Sequence, residues 1–279
     1  MSDGLFADAG ASYPPAHHVL RSLPAEFETV DAETSLVRLR VDPGDPGGAV
    51  ADLLVAVDVL CGLLVGRLVA PDWMATSHLS LHLLATPRTP LVTATTQVRR
   101  VGRTTVVVGV RAVDDGSDAA PAAEGLVMFS RLPRRAENLT LPPVVPGERT
   151  ALGGLDAVPG AALAGLGPPV RDPDGLVRTE VSAWSRNSFG AMNGGVVAAL
   201  VAQVAAVAGA ERLGRPCAAV DIGIGFLAPA IDGPLAVAAE VLRSDTTGAL
   251  VRVDVVDERS STDRASDPRP VVVAHVTVA

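Results

Sequence analysis

Lysine is absent, aromatic residues make up only 3% of the 279 positions, and there are two cysteines. With so few rings, the core has to be built from aliphatic side chains, within a composition that is 48% hydrophobic. Cys61 and Cys217 both stand in apolar surroundings, which excludes a disulfide framework or a cysteine zinc site and leaves two reduced thiols. Such thiols fit a cytoplasmic protein. Positive charge is scarce as well: the net charge of -8 and a pI near 5.1 exclude nucleic acid as the main partner, because phosphate binding needs basic surfaces. Met1–Pro15 lacks the basic start and apolar segment of a signal peptide, so secretion is not expected and the sequon Asn138-Leu-Thr140 goes unused. The apolar run Leu53–Val69 is interrupted by Asp58 and Arg67, so no membrane span is expected.

What is present is strand-like alternation and two long apolar helical runs. Val37, Leu39 and Val41 alternate with Arg38 and Arg40 as a half-buried strand does, and the dense turn Asp42–Gly48 leads into a helix over Ala49–Leu68. Strands are expected at Ser77–Leu84, Leu91–Arg99, Thr104–Val113 and Gly125–Leu132. The prolines of residues 133–150 read as an extended linker. The second half repeats the order, with a strand at Gly175–Ser182, a turn at Asn187–Gly195 and a helix at Val196–Gly209. Strands follow at Ala218–Leu227, Leu235–Ser244, Ala249–Val256 and Val271–Val278, with a polar loop over Asp257–Pro268. Setting Gly47-Gly48 on Gly194-Gly195 brings Gly62 onto Gly209 and, with a small shift, Leu83-Leu-Ala85 onto Phe226-Leu-Ala228. The chain therefore reads as an internal repeat: a tail over 1–15, a first domain over 16–137, a linker over 138–150 and a second domain over 151–279.

The stretch Asn187-Ser-Phe-Gly-Ala-Met-Asn-Gly-Gly195 is a polar, glycine-rich turn running into a helix without internal charge, the outline of an oxyanion site. Asn187, Gly190, Asn193, Gly194 and Gly195, followed by Asp221–Pro229, resemble the hotdog-fold acyl-CoA thioesterase superfamily, in particular its PaaI-like branch. Two such units in one chain resemble the tandem arrangement of acyl-CoA thioesterase II. The resemblance implies an α+β fold of two tandem hotdog domains, each a long antiparallel sheet wrapped around a central apolar helix. It further implies an acyl-CoA substrate, no cofactor, and pairing of the two units so that each site draws on both. Pairing of hotdog sheets between copies of the chain stays open.

Carried onto this sequence, the resemblance puts Asn187 at the family's loop asparagine, Gly194 and Gly195 at the amides that polarise the thioester carbonyl, and Asn193 where histidine is usual. The family's helix carboxylate falls on Val55 and Ala202, so neither helix keeps it. Asp52 and Asp58 flank Val55, each about 60° off its face. Asp58 is preferred, because deep in an apolar run an unpaired carboxylate tends towards a raised pKa. The competing reading is an ion pair with Arg67 or Arg99. Thr76 falls where some relatives place a water-positioning hydroxyl, and Asp221 where acyl-CoA thioesterase II carries a strand aspartate, with His78 as its first-unit counterpart. Ala202, Ala219 and Pro46 mark the reciprocal site as dead. Arg99, Arg100, Arg103 and Arg186 are candidates for the CoA phosphates. His78 and His82 share one strand face but lack acidic or thiol companions, so no metal site is expected. The expected activity is thioester hydrolysis at one composite site, with a non-catalytic acyl-CoA or lipid-binding protein as the alternative.

Overall fold

The computed structural model describes residues 13–116, 119–133, 145–151, 153–258 and 268–279. The expected tail up to residue 12, the linker over 138–144 and the loop over 259–267 lie outside them. Sixteen elements follow in chain order: α1 (Val19–Ser22), β1 (Ala25–Thr29), β2 (Thr34–Arg40), α2 (Pro46–Leu68), β3 (Trp73–Leu83), β4 (Leu91–Val101), β5 (Thr105–Asp114), β6 (Ala120–Leu132), β7 (Arg149–Ala151), α3 (Ala161–Leu166), β8 (Val177–Thr179), α4 (Gly194–Leu213), β9 (Ala219–Phe226), β10 (Leu235–Ser244), β11 (Ala249–Asp257) and β12 (Arg269–Val278).

The strands form a single antiparallel sheet in the order β7-β1-β2-β4-β5-β6-β3-β9-β12-β11-β10-β8. Each half wraps its own helix, α2 or α4, so the fold is two tandem hotdog units joined at the β3–β9 seam, where His78 to His82 pair with Gly225 to Asp221. Both helices are long and apolar enough to cross a membrane, yet both are core helices. α2 is buried on nearly every side by its sheet and by α4, as an all-apolar helix requires.

α2 and α4 start three and two residues earlier than their apolar runs. Asp45 caps α2 by accepting from the Gly48 N–H, with Pro46 at the first helical position, where its missing N–H costs nothing. Asn193 caps α4 in the same way, accepting from the Val196 N–H. The caps therefore set Asp45, not Pro46, opposite Asn193, and the repeat shifts by one residue within the helices: Gly47 matches Gly195. The strand alignment needs no shift. The β3–β6 ladder skips Ser77, and the β9–β12 ladder skips Val220, so the two bulges match and Thr76 corresponds to Ala219.

Two short strands at one end of the sheet depart from the sequence reading. β1 has too few residues to show a period, and β7 pairs with β1 where the proline-rich linker was expected to continue. α3 is too short to carry a helical signal. It is held by tertiary bonds, because the buried Asp52 accepts from the Gly160 and Ala162 N–H groups at 2.6 and 2.9 Å.

Candidate active site

Asp58 sits in the middle of α2 with only 6% of its surface exposed. Its Oδ1 accepts from the Thr76 hydroxyl at 2.8 Å and its Oδ2 from the Gly195 N–H at 2.9 Å. One hydrogen bond comes from its own unit and the other from the second. Two backbone devices create this meeting. The bulge at Ser77 puts Thr76 in phase with the inward Leu79 and Leu81, where an unbroken strand would have turned it outward with His78 and His82. Gly195 lets α4 approach α2 closely: a Cβ there would lie 2.5 Å from the Val55 Cα and 2.9 Å from the Leu54 carbonyl oxygen.

No described arginine pairs with Asp58. Arg67 instead binds Glu148 and the Thr29 hydroxyl, and Arg99 lies over Gly109. Burial pushes the Asp58 carboxyl above its ordinary value, against the lowering effect of the Thr76 and Gly195 donors. The charge of Asp58 in turn helps burial to raise the Tyr13 hydroxyl and the Cys61 thiol.

Gly194 opens α4 half-buried, and no described residue accepts from its N–H. A Cβ there would meet the Asp58 carboxylate at 3.0 Å, so this free donor lies beside the acid. Asn193 is spent on the cap, and its N–H donates to the Ser185 carbonyl. Asn187 accepts from the Phe189 and Ala191 N–H groups, holding the loop in a tight turn that passes through Gly190 at φ 81°. Arg186 braces the same loop through the Gly190 and Val181 carbonyls, which leaves it poorly placed to hold a CoA phosphate. Phe189 then stacks edge-on against Trp73, 4.4 Å between ring centres, and closes the second unit's loop over the first unit's strand.

Asp221 is not brought to this cluster. It stands on the exposed face of the β3–β9 seam, where its carboxylate meets the His82 Nδ1 at 3.0 Å, because strand alternation turns it away from the inward Ile222 and Ile224. Asp52 likewise serves α3 and not Asp58. No metal-binding group of three His, Cys, Asp or Glu exists among the described residues.

Two neighbours escaped the sequence reading. His18 is fully buried, with Nε2 donating to the Arg186 carbonyl at 2.7 Å and Nδ1 accepting from the Leu20 N–H. It ties the N-terminal segment to the Asn187 loop, and burial lowers its pKa. The Tyr13 ring packs on His18 at 5.2 Å, near enough to Asp58 to feel its charge. Contacts across 168 residues leave no local signature.

Comparison with known proteins agrees with this architecture. The Thioesterase superfamily model matches residues 49–120 and 189–262, together more than half of the chain and once per unit. No curated protein matches in sequence. Among solved structures, an acyl-ACP thioesterase from Bacteroides thetaiotaomicron superposes with a TM-score of 0.58 at 12% identity, covering 88% of this chain and 98% of that one. The tesB protein of Mycobacterium avium subspecies paratuberculosis gives 0.52 at 17% identity, over 93% and 97%. The acyl-CoA thioesterase II TesB2 of Mycobacterium marinum gives 0.50 at 13% identity, over 93% and 95%. These identities are low enough for the likeness to speak of fold alone. With both units matched by the family model, the chain belongs to the Thioesterase superfamily.

Proposed function

We propose that this protein hydrolyses an acyl-CoA thioester to free acid and thiol at the single composite site around Asp58. The observation that carries the reading is a carboxylate without a cationic partner, held between Thr76 and Gly195, beside the free Gly194 N–H. In this reading the thioester oxygen accepts from Gly194 at the positive end of α4, which stabilises the oxyanion as it forms. Asp58 takes a proton from the attacking water, whose other proton the Thr76 oxygen can accept. Collapse of the tetrahedral intermediate breaks the C–S bond, and the proton on Asp58 passes to the leaving thiolate. Gly195 and Thr76 orient the base, Asn193 fixes the start of the helix, and Asn187 shapes the loop that carries the donors.

Hydrolysis of an acyl-CoA panel with thiol detection tests the proposal. Turnover by the native chain, and its loss in Asp58→Asn, is expected. Absence of turnover at every chain length with the fold intact removes it. The enclosure of Asp58 and the missing carboxylates at Val55 and Ala202 favour a second reading, a non-catalytic acyl-CoA-binding protein. In that case the panel binds without turnover, and Asp58→Ala leaves affinity unchanged. Two free cysteines, one of them buried, support a reducing compartment.

A further inference from the structure

The counterpart of the Asp58 site in the second unit is an open cavity. Counting thirteen residues past the caps Asp45 and Asn193 reaches Asp58 in α2 and Ala206 in α4, and the matched bulges set Ala219 on Thr76. Ala206 and Ala219 both line a cavity of about 390 Å³ between α2, α4 and the α3 segment. The space that a carboxylate and a hydroxyl fill in one unit is therefore empty in the other. Leu163, Pro168 and Pro169 line one side of it, on a segment that the Asp52 bonds to Gly160 and Ala162 tie to α2.

The lining is aliphatic apart from the Cys217 thiol, whose Sγ donates to the Arg215 carbonyl, and two further hydrogen-bonding groups. Gly47, the match of Gly195, has an N–H that no described residue accepts, because the carboxylate it would serve is an alanine. Gln203 donates through Nε2 to the Gly167 carbonyl at 3.0 Å, while its Oε1 is buried with no partner among the described residues. One free donor and one free acceptor suit a hydroxyl, which can accept from the first and donate to the second. A carboxylate suits only the first: it can accept from Gly47 but cannot donate to Gln203, no described arginine lines the cavity, and the acidic Asp45 stands at the same end of α2. The volume is about two and a half times the ~150 Å³ apolar cavity that takes a benzene, room for a chain of roughly eight to twelve carbons.

We infer that this cavity is a second, non-catalytic site that binds an uncharged aliphatic chain bearing a hydroxyl. The inference needs no hydrolysis at Asp58. Calorimetric titration of the full chain with 1-octanol and with octanoate tests it. Saturable binding of one 1-octanol is expected, with octanoate at least tenfold weaker. Asp58→Asn retains that binding whether or not thioester turnover exists, so the two proposals fail separately. Ala206→Phe fills the cavity and is expected to abolish binding, with its fold checked by circular dichroism. Gln203→Leu, which changes little volume, is expected to weaken 1-octanol by tenfold or more at an unchanged melting temperature. No saturable binding, octanoate binding the tighter, or undiminished affinity in either cavity variant overturns the inference.

Discussion

Asp58 and Asp52 are both carboxylates raised by burial, and they predict opposite tests. For Asp58 as base, activity rises with pH through an inflection above the ordinary carboxylate value, and Asp58→Asn lowers kcat by about 10²- to 10⁴-fold, read as thiol release. The same substitution removes a buried charge without a cationic partner, so the melting temperature at neutral pH is expected to rise. Asp52 is raised to about 6 from 3.8. A group that holds its proton more tightly when folded contributes stability that is full below pH 3.8 and is lost as pH rises through about 6. Two units at about 1.4 kcal/mol each cap that loss near 3 kcal/mol. Melting temperatures between pH 4 and 7 should therefore fall more steeply in the native chain than in Asp52→Asn. Asp221 offers a contrast: its ion pair with His82 is more than half exposed on both sides, so Asp221→Ala should move neither turnover nor melting measurably.

The encounter of α4 with α2 separates two adjacent glycines. Gly195→Ala would drive a methyl into the backbone of α2, which cannot give way locally, and a loss of about 1–3 kcal/mol in chemical denaturation is expected. The Gly194→Ala methyl meets the Asp58 carboxylate, a side chain that can turn aside. That variant should keep most of its stability and lose activity, because moving the acid spoils its alignment with the free N–H. Both helices were legible from their apolar runs, and the loop Asn187–Gly195 from its glycines and asparagines. The caps were not, since Asp45 acts through a hydrogen bond that periodicity does not report. Nor was the Ser77 bulge, which decides whether Thr76 faces the core or the solvent.

Across the molecule, the β3–β9 seam, the α2–α4 contact and the Asp52–α3 bonds stitch the two units into one sheet and one core. Trp73 belongs to the first unit, where it also packs on Phe189 of the second, and Trp184 belongs to the second. Fluorescence of the single-tryptophan variants Trp184→Phe and Trp73→Phe should therefore give coincident denaturation midpoints, and two separated midpoints would show the units unfolding independently.

Local pattern was enough for the repeat, the wrapped apolar helices and most strands, and to name Asp58 as a candidate, because alternation, apolar runs and glycine turns act within a few residues. Register, bulges and helix approach are properties of pairs far apart in the chain, and these brought Thr76, Asp58 and Gly195 together while leaving Asp221 outside. They also left a cavity at the reciprocal position, where the alanines show only that the carboxylate and the hydroxyl are missing. An alanine code reports that a group is missing; whether its space closes or stays open depends on how the surrounding backbone packs.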